Sequence, residues 1–310
     1  MSIDKIKKAA VLGAGTMGPG IAQLFAMSGY DVSIYTRSES TMEKAKKVLE
    51  TNLATFAEED LVKAEEIDEI LNRIQMTHSI PEAVKDAGYI VETIVENKDA
   101  KKELFEELDD LCEQDVVLAS NTSFLNIYDI VPKRRRPFTA NAHWFAPPHI
   151  VPLVEVVGGD ETAPETVELV VEMMKDIGKV PVVLEKFVPG FVVNRIQRVL
   201  GWETYYLLDN GYITPDQLDL AVKASLMPRG MILGLVQRID FTGLDLTWGN
   251  LQNKGVIDPP MDKQPKCLSE RVESGDLGVK TGKGFYDYTD RSMEEVLKKR
   301  DKMLIRVLKN

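Results

Sequence analysis

The sequence predicts an α/β chain: a doubly wound, parallel sheet followed by a smaller all-helical domain. Three observations predict it. Short apolar runs alternate with helical segments over roughly the first 185 residues. The first run ends in a cluster of glycines, and beyond Gly190 the pattern turns wholly helical. A length of 310 residues suits two domains of ordinary size, which we place at residues 1–187 and 188–310.

Taken in order, residues 9–12 read as the first strand, 17–29 as a helix and 31–35 as a second strand. Helical segments follow at 41–57 and 64–73, then a strand at 89–95. Further strands are expected at 116–120, 139–143, 153–157 and 179–184. Strands alternating with helices imply a parallel sheet covered on both faces. Val188-Pro189-Gly190 breaks the alternation; residues 191–210 and 214–223 read as helices, with no convincing strand after them.

Composition narrows the class. Hydrophobic residues make up 44% and charged residues 28%, the balance of a soluble globular protein. A net charge of -11 argues against nucleic acid or an anionic membrane as partner, because both require concentrated positive charge. The run Lys133-Arg134-Arg135-Arg136 is the exception, and we read it as a solvated loop. Two cysteines, Cys112 and Cys267, offer neither a disulfide framework nor a metal site. No apolar stretch reaches the ~18 residues that span a bilayer, and the N-terminus lacks a signal-peptide core. The expected location is the cytoplasm.

Val11-Leu12-Gly13-Ala14-Gly15-Thr16-Met17-Gly18 holds a G-x-G-x-x-G run between the first strand and the first helix. In that context the pattern marks a Rossmann-like dinucleotide turn. Gly13 allows the turn, Gly15 admits a pyrophosphate to the backbone, and Gly18 lets helix and strand pack closely. Thr16 and Met17 complete the phosphate loop, whose free N–H groups and helix end attract anions. NAD-selective sites usually place an acid about twenty residues on, to grip the ribose. Here Thr36 stands at that position, followed by Arg37 and Ser38. A guanidinium between hydroxyls suits a 2′-phosphate, so the expected cofactor is NADP, with NAD the alternative.

His143 ends one expected strand, and Glu155 lies among valines on the next. A carboxylate there is costly to bury unpaired. The proline-rich link through Pro147, Pro148 and Pro152 can return Glu155 to His143, leaving one imidazole nitrogen free to take a proton. Spacing alone leaves a purely structural ion pair equally open.

With these motifs stand Val95-Glu96-Asn97 with Lys101, Ser120-Asn121-Thr122-Ser123, Gly190-Phe191-Val192-Val193-Asn194-Arg195, and Gly278-Val279-Lys280-Thr281-Gly282-Lys283-Gly284-Phe285-Tyr286. In this order they resemble the 3-hydroxyacyl-CoA dehydrogenase family over nearly the full length. The resemblance implies His143 as general base for alcohol oxidation and Glu155 as its orienting partner. It implies Ser123 and Asn194 as hydrogen-bonding the reacting oxygen, and Asn121, Glu96 and Lys101 as lining the nicotinamide ribose side. It also implies a homodimer formed through the helical domain. One positioned base is enough for such chemistry, so no metal is expected.

Two departures bear on the substrate. Ala146 stands where the family usually carries asparagine, and Pro147-Pro148 adds a second proline. In this the chain is similar to the lambda-crystallin-like branch, which includes dehydrogenases of free hydroxy acids. Arg229, in Met227-Pro228-Arg229-Gly230, matches an arginine of that branch and would clamp a carboxylate. Lys44, Lys46 and Lys47 and the Gly282–Tyr286 motif resemble acyl-CoA members instead. The substrate reads as a 3-hydroxyacyl-CoA or a small free 3-hydroxy acid. The competing class is a catalytically inactive structural or cofactor-sensing protein on the same fold.

Overall fold

Alternation along the strands sorts the apolar side chains of the first unit into two layers. The computed structural model describes residues 2–309. On β1 (Lys8–Leu12), Ala9 and Val11 face one way while Ala10 and Leu12 face the other. The first pair joins a core with α1 (Gly18–Met27), α2 (Glu39–Glu58) and α6 (Pro164–Asp176), contributing Phe25, Leu49 and Met173. The second pair packs against α4 (Ile80–Val84) and α5 (Lys98–Leu111) through Ala83, Phe105 and Leu108.

Eight strands form one sheet in the order β3-β2-β1-β4-β5-β6-β7-β8. Besides β1 these are β2 (Asp31–Tyr35), β3 (Ile74–Thr77), β4 (Tyr89–Glu92), β5 (Val117–Ser120), β6 (Thr139–Trp144), β7 (Leu153–Gly158) and β8 (Val180–Val183). Every residue of β4, β5 and β6 is buried, as expected for a sheet covered on both faces. The order reverses between β1 and β4, where open α/β sheets bind ligands. The expected all-parallel sheet is corrected at one place: β6 and β7 run antiparallel, because the Pro147–Pro152 link is a short return without a crossover helix. The edge strand β3, preceded by the short α3 (Ile67–Asn72), is not singled out by the sequence pattern; only half-buried, it carries a weak apolar signal.

The basic run is also a correction. Arg135 is buried, its Nε 2.9 Å from Asp109 Oδ1, while Arg134 meets Asp109 at 2.6 Å and Arg136 pairs with Glu161. Arg135 is thus buried against α5, while Lys133 and Arg134 stay exposed as expected of a solvated loop.

Two compact units divide the chain: the residues up to Val192 together with those from Leu297 onward, and Val193–Val296. The end of α12 (Met293–Lys309) counts with the sheet unit rather than the helical one. The second unit holds α7 (Val193–Asp209), α8 (Pro215–Ala221), α9 (Met227–Thr242), α10 (Leu244–Leu251) and α11 (Lys266–Ser274). Within it Asp209 accepts from the Lys266 and Cys267 amides, capping α11. No helix among the described residues is long and apolar enough to cross a membrane.

Candidate active site

The glycine turn leaves β1 and enters α1 as the spacing predicts. Gly13 has φ +127°, and a Cβ there would meet Thr93 O at 2.8 Å. A Cβ on Gly18 would lie 1.8 Å from Gly13 O, so only glycine fits that close approach. Gly15 is different: a Cβ would point into open space, with nothing within 4 Å. Helix α1 has no side-chain cap at Met17 and no acid in its first turn, so its N-terminal donors stay available to an anion. These features open onto a cleft of about 910 Å³, lined by the 13–17 turn, the 35–38 segment and the 93–95 segment. The bare backbone at Gly15 and the uncapped helix fit a dinucleotide pyrophosphate.

At the ribose end Thr36 is buried and its carbonyl accepts from His78 Nδ1 at 2.6 Å, while His78 Nε2 lies 3.0 Å from Glu39. The Thr36 carbonyl first, then Glu39, hold His78 above its ordinary pKa. Ser38 is the N-cap of α2 and accepts from the Thr41 amide at 3.4 Å, so its hydroxyl serves the helix. Arg37 is exposed and forms no ion pair among the described residues.

On the opposite side of the switch point, His143 and Glu155 come together. They are register partners of β6 and β7, which places their side chains on one face of the sheet. His143 Nδ1 lies 2.9 Å from Glu155 Oε2, and both side chains are buried. The other nitrogen, Nε2, lies 3.2 Å from Ser123 Oγ. One carboxylate, one imidazole and one hydroxyl thus form a line along which a proton can move.

The loop bearing Ser123 is held by an anion. Glu96 Oε1 accepts from Thr122 Oγ1 at 2.6 Å, from the Ser123 amide at 3.0 Å and from the Phe124 amide at 2.8 Å. Burial would raise its carboxyl, but those donors and the Lys101 charge hold it below the usual range. Lys101 is itself buried, with Nζ 2.6 Å from Glu92 Oε1 and 3.5 Å from Glu96 Oε2. Asn121 Oδ1 accepts the Trp144 amide at 2.8 Å, tying the end of β5 to the residue after His143. Of the residues expected on the ribose side, Glu96 and Lys101 therefore brace each other, while Asn121 is bonded to Trp144. Sequence reasoning does not single out Glu92, which also accepts from Ser120 Oγ at 2.6 Å and the Ile94 amide at 2.7 Å. An acid ending the apolar strand Tyr89-Ile90-Val91-Glu92, with a lysine nine residues on, is the signal that marks it. Asn194 and Arg229 belong to the second unit, on α7 and α9. Arg229 bonds one turn back, Nε to Ser225 O at 3.1 Å and Nη2 to Ser225 Oγ at 3.0 Å.

Residues 8–187 match the NAD-binding domain of 3-hydroxyacyl-CoA dehydrogenase, and residues 190–288 match its C-terminal domain. The chain belongs to the 3-hydroxyacyl-CoA dehydrogenase family. As a member it is an NAD-dependent dehydrogenase acting on a hydroxy group. It is 36% identical over 286 residues to a 3-hydroxybutyryl-CoA dehydrogenase from Clostridioides difficile, covering 91% of this chain and 99% of that one. It is 30% identical over 310 residues to a 5-formyl-3-hydroxy-2-methylpyridine 4-carboxylate 5-dehydrogenase from Mesorhizobium japonicum, covering 97% of each. A solved structure of a dehydrogenase of that second kind, described as an NAD+ dependent dismutase, matches with a TM-score of 0.85 at 29% identity over 97% of both chains. The family's C-terminal domain ends at residue 288 here, so α12 lies beyond it.

Proposed function

We propose that this dehydrogenase oxidises the C3 alcohol of a 3-hydroxyacyl-CoA or a small free 3-hydroxy carboxylate, and catalyses the reverse reduction, with His143 as the proton carrier. The observation that carries the reading is the buried Glu155–His143–Ser123 line. Bound in the cleft at the glycine turn, the nicotinamide supplies the hydride acceptor. Nδ1 keeps its proton and donates it in a hydrogen bond to Glu155, so Nε2 presents its lone pair. Nε2 accepts the alcohol proton as the C–H bond breaks, and Glu155 stabilises the imidazolium. Ser123 Oγ, within reach of Nε2, orients the reacting oxygen, a task Asn194 shares in this reading. Replacing His143 by alanine should lower kcat by about 10²–10⁴-fold with cofactor affinity nearly intact. A variant with the wild-type rate would remove His143 from this role.

The near-full-length match to a pyridine carboxylate dehydrogenase supports the free acid, and the match to a 3-hydroxybutyryl-CoA dehydrogenase supports the thioester. Arg229 is the residue we assign to a free carboxylate. The Arg229→Ala variant should raise KM for the free acid far more than for the thioester, and equal effects would defeat the assignment.

A second cofactor reading rests on Arg37. No carboxylate stands at Thr36 to repel a 2′-phosphate, and the guanidinium is unpaired among the described residues. We assign the site NADP as well as NAD, with residues 35–38 reading the ribose. Titrating both cofactors tests this: NADP binding at least as tight as NAD is expected, and a clear preference for NAD would overturn it.

A homodimer through the helical unit completes the proposal. Ile232 and Val236 are 80% and 78% exposed and Trp248 68%, and no residue of α7–α11 that is described lies buried. Light scattering that returned a monomer mass would remove it. Two cysteines left as free thiols fit the reducing cytoplasm we propose as its location.

A further inference from the structure

The turn at 190–192 touches all three residues of the proton line, two through their side chains and Ser123 through its backbone carbonyl. The Gly190 amide donates to the Ser123 carbonyl at 3.0 Å, and the Val192 amide donates to Glu155 Oε1 at 3.0 Å. Between them the Phe191 ring lies on the His143 imidazole, centroids 4.5 Å apart and planes 16° from parallel. Phe187 backs Phe191 edge-on at 5.7 Å, and Phe145 closes another side of the imidazole at 4.7 Å.

The backbone of Phe191 makes this contact notable. Its φ is +50°, in the left-handed region, and the side chain is fully buried. A bulky aromatic rarely adopts that conformation, because its Cβ crowds the following carbonyl. A glycine, such as the neighbouring Gly190 at φ +82°, would adopt it without strain. The turn therefore keeps a residue that its backbone disfavours. What that residue adds is a flat π face against one imidazole, at a site where strain persists only when its surroundings hold it.

We infer that Phe191 is a positioning residue for His143. Resting on the reading that His143 moves the proton, the ring sets the imidazole plane so that Nδ1 meets Glu155 while Nε2 faces the alcohol. Its π cloud also favours the imidazolium formed on proton transfer. Glu155 is the ionisable group bonded to the imidazole, with Ser123 Oγ at the other nitrogen; no further ionisable side chain is bonded to it among the described residues.

The test compares F191L, which fills the space without a π face, with F191Y, which keeps the face. F191L should lower kcat at least about tenfold while leaving the Kd for NAD within about twofold. It should also move the acid limb of kcat/KM for alcohol oxidation down by about half a pH unit, as loss of a cation–π contact requires. F191Y should keep the rate within about threefold and the limb in place. Three results would overturn the inference: F191L with the wild-type rate and profile, F191Y falling as far as F191L, or an F191L that no longer binds NAD, which would make the ring a folding residue. H143Q measured alongside separates the two claims. An active H143Q sinks the role of His143 itself; an inactive H143Q beside an unaltered F191L sinks only that of Phe191.

Discussion

His143 and Glu155 are direct cross-strand partners, with Nδ1 2.9 Å from Oε2 and both side chains almost wholly shielded from water. The reversal of β7 creates this pair: opposite residues on antiparallel strands carry Cβ atoms about 5 Å apart, within reach of a carboxylate and an imidazole. Glu155 also accepts the Val192 amide on its other oxygen, so its orientation is held from two sides. Glu155→Gln keeps the shape but allows the amide to present a donor to Nδ1, favouring the wrong tautomer. A loss in kcat of about 10²–10⁴-fold is expected with unchanged NAD affinity. Steady-state rates and a cofactor titration check it, and a loss under threefold would mean that Glu155 only fills the core.

Gly15 and Gly18 separate binding from folding. Gly15→Ala places a methyl group in open space, so the apo protein should melt within about 2 °C of wild type, yet the methyl occupies the place of the pyrophosphate. NAD affinity should fall about 10–100-fold, a cost of roughly 1.4–2.7 kcal/mol. Gly18→Ala drives a methyl into the Gly13 carbonyl and should lower the apo melting temperature by itself. Thermal melts with and without NAD distinguish the two; a G15A protein with wild-type affinity would place the phosphates elsewhere.

Much of the site is legible because its parts carry local signals. The glycine run between strand and helix, and an acid among valines opposite a histidine, are patterns with a mechanical reason. What stays hidden depends on tertiary contact. Nothing near Phe191 announces a left-handed aromatic stacked on residue 143 of another element. Ser38 reads as a hydroxyl for a 2′-phosphate, and the structure also uses it as the cap of α2. Lys101, expected to line the ribose side, is turned inward onto Glu92, whereas its helical neighbours Lys98 and Lys102 are exposed. The return of α12 to the first unit is equally invisible, since its contacts are made with residues some 240 positions away.

The loop after His143 carries a pH dependence of its own. His149 Nδ1 lies 3.4 Å from Asn52 Nδ2, and burial first, then the Lys179 and Arg300 charges, pull its pKa down to about 3. Lys179 Nζ binds the Pro148 carbonyl and, at 2.7 Å, that of Val151; burial brings its pKa to about 7. Both folded values lie below the unfolded ones, so the unfolded chain binds protons first. His149 therefore costs stability as pH falls from about 6.5 towards 3, and Lys179 as pH falls from about 10.5 to 7. Replacing His149 with glutamine removes only the first. Between pH 6 and 4 the wild type should lose up to about 1.4 kcal/mol per pH unit more than H149Q. His78, raised in the folded state, works in the opposite direction and is common to both proteins. Denaturant melts at several pH values check the slope, and parallel curves would show that His149 titrates normally.

The last helix offers a choice between charge and packing as the source of its hold. Arg306 meets Glu59 through two bonds of 3.0 and 2.8 Å, and Lys298 and Lys302 meet Glu58 at 2.7 and 2.6 Å. Arg306 is 66% exposed although Glu59 is nearly buried, and Lys298, Lys302 and Glu58 are part-exposed, so water reaches each pair from at least one side and screens it. Ile305 is buried against Phe56 and Ile150, the latter two residues past the second proline of the loop after His143. Ile305→Ala should cost about 2–4 kcal/mol of unfolding free energy, and Arg306→Ala clearly less than that. Raising the salt to 1 M should shift neither difference by much, since apolar burial supplies most of the hold and salt does not screen it. Urea denaturation of the two variants decides the matter. If R306A proved the more damaging, or its effect vanished in salt, the helix would be held by its charges, and Ile305 would be a passenger on an electrostatic clasp.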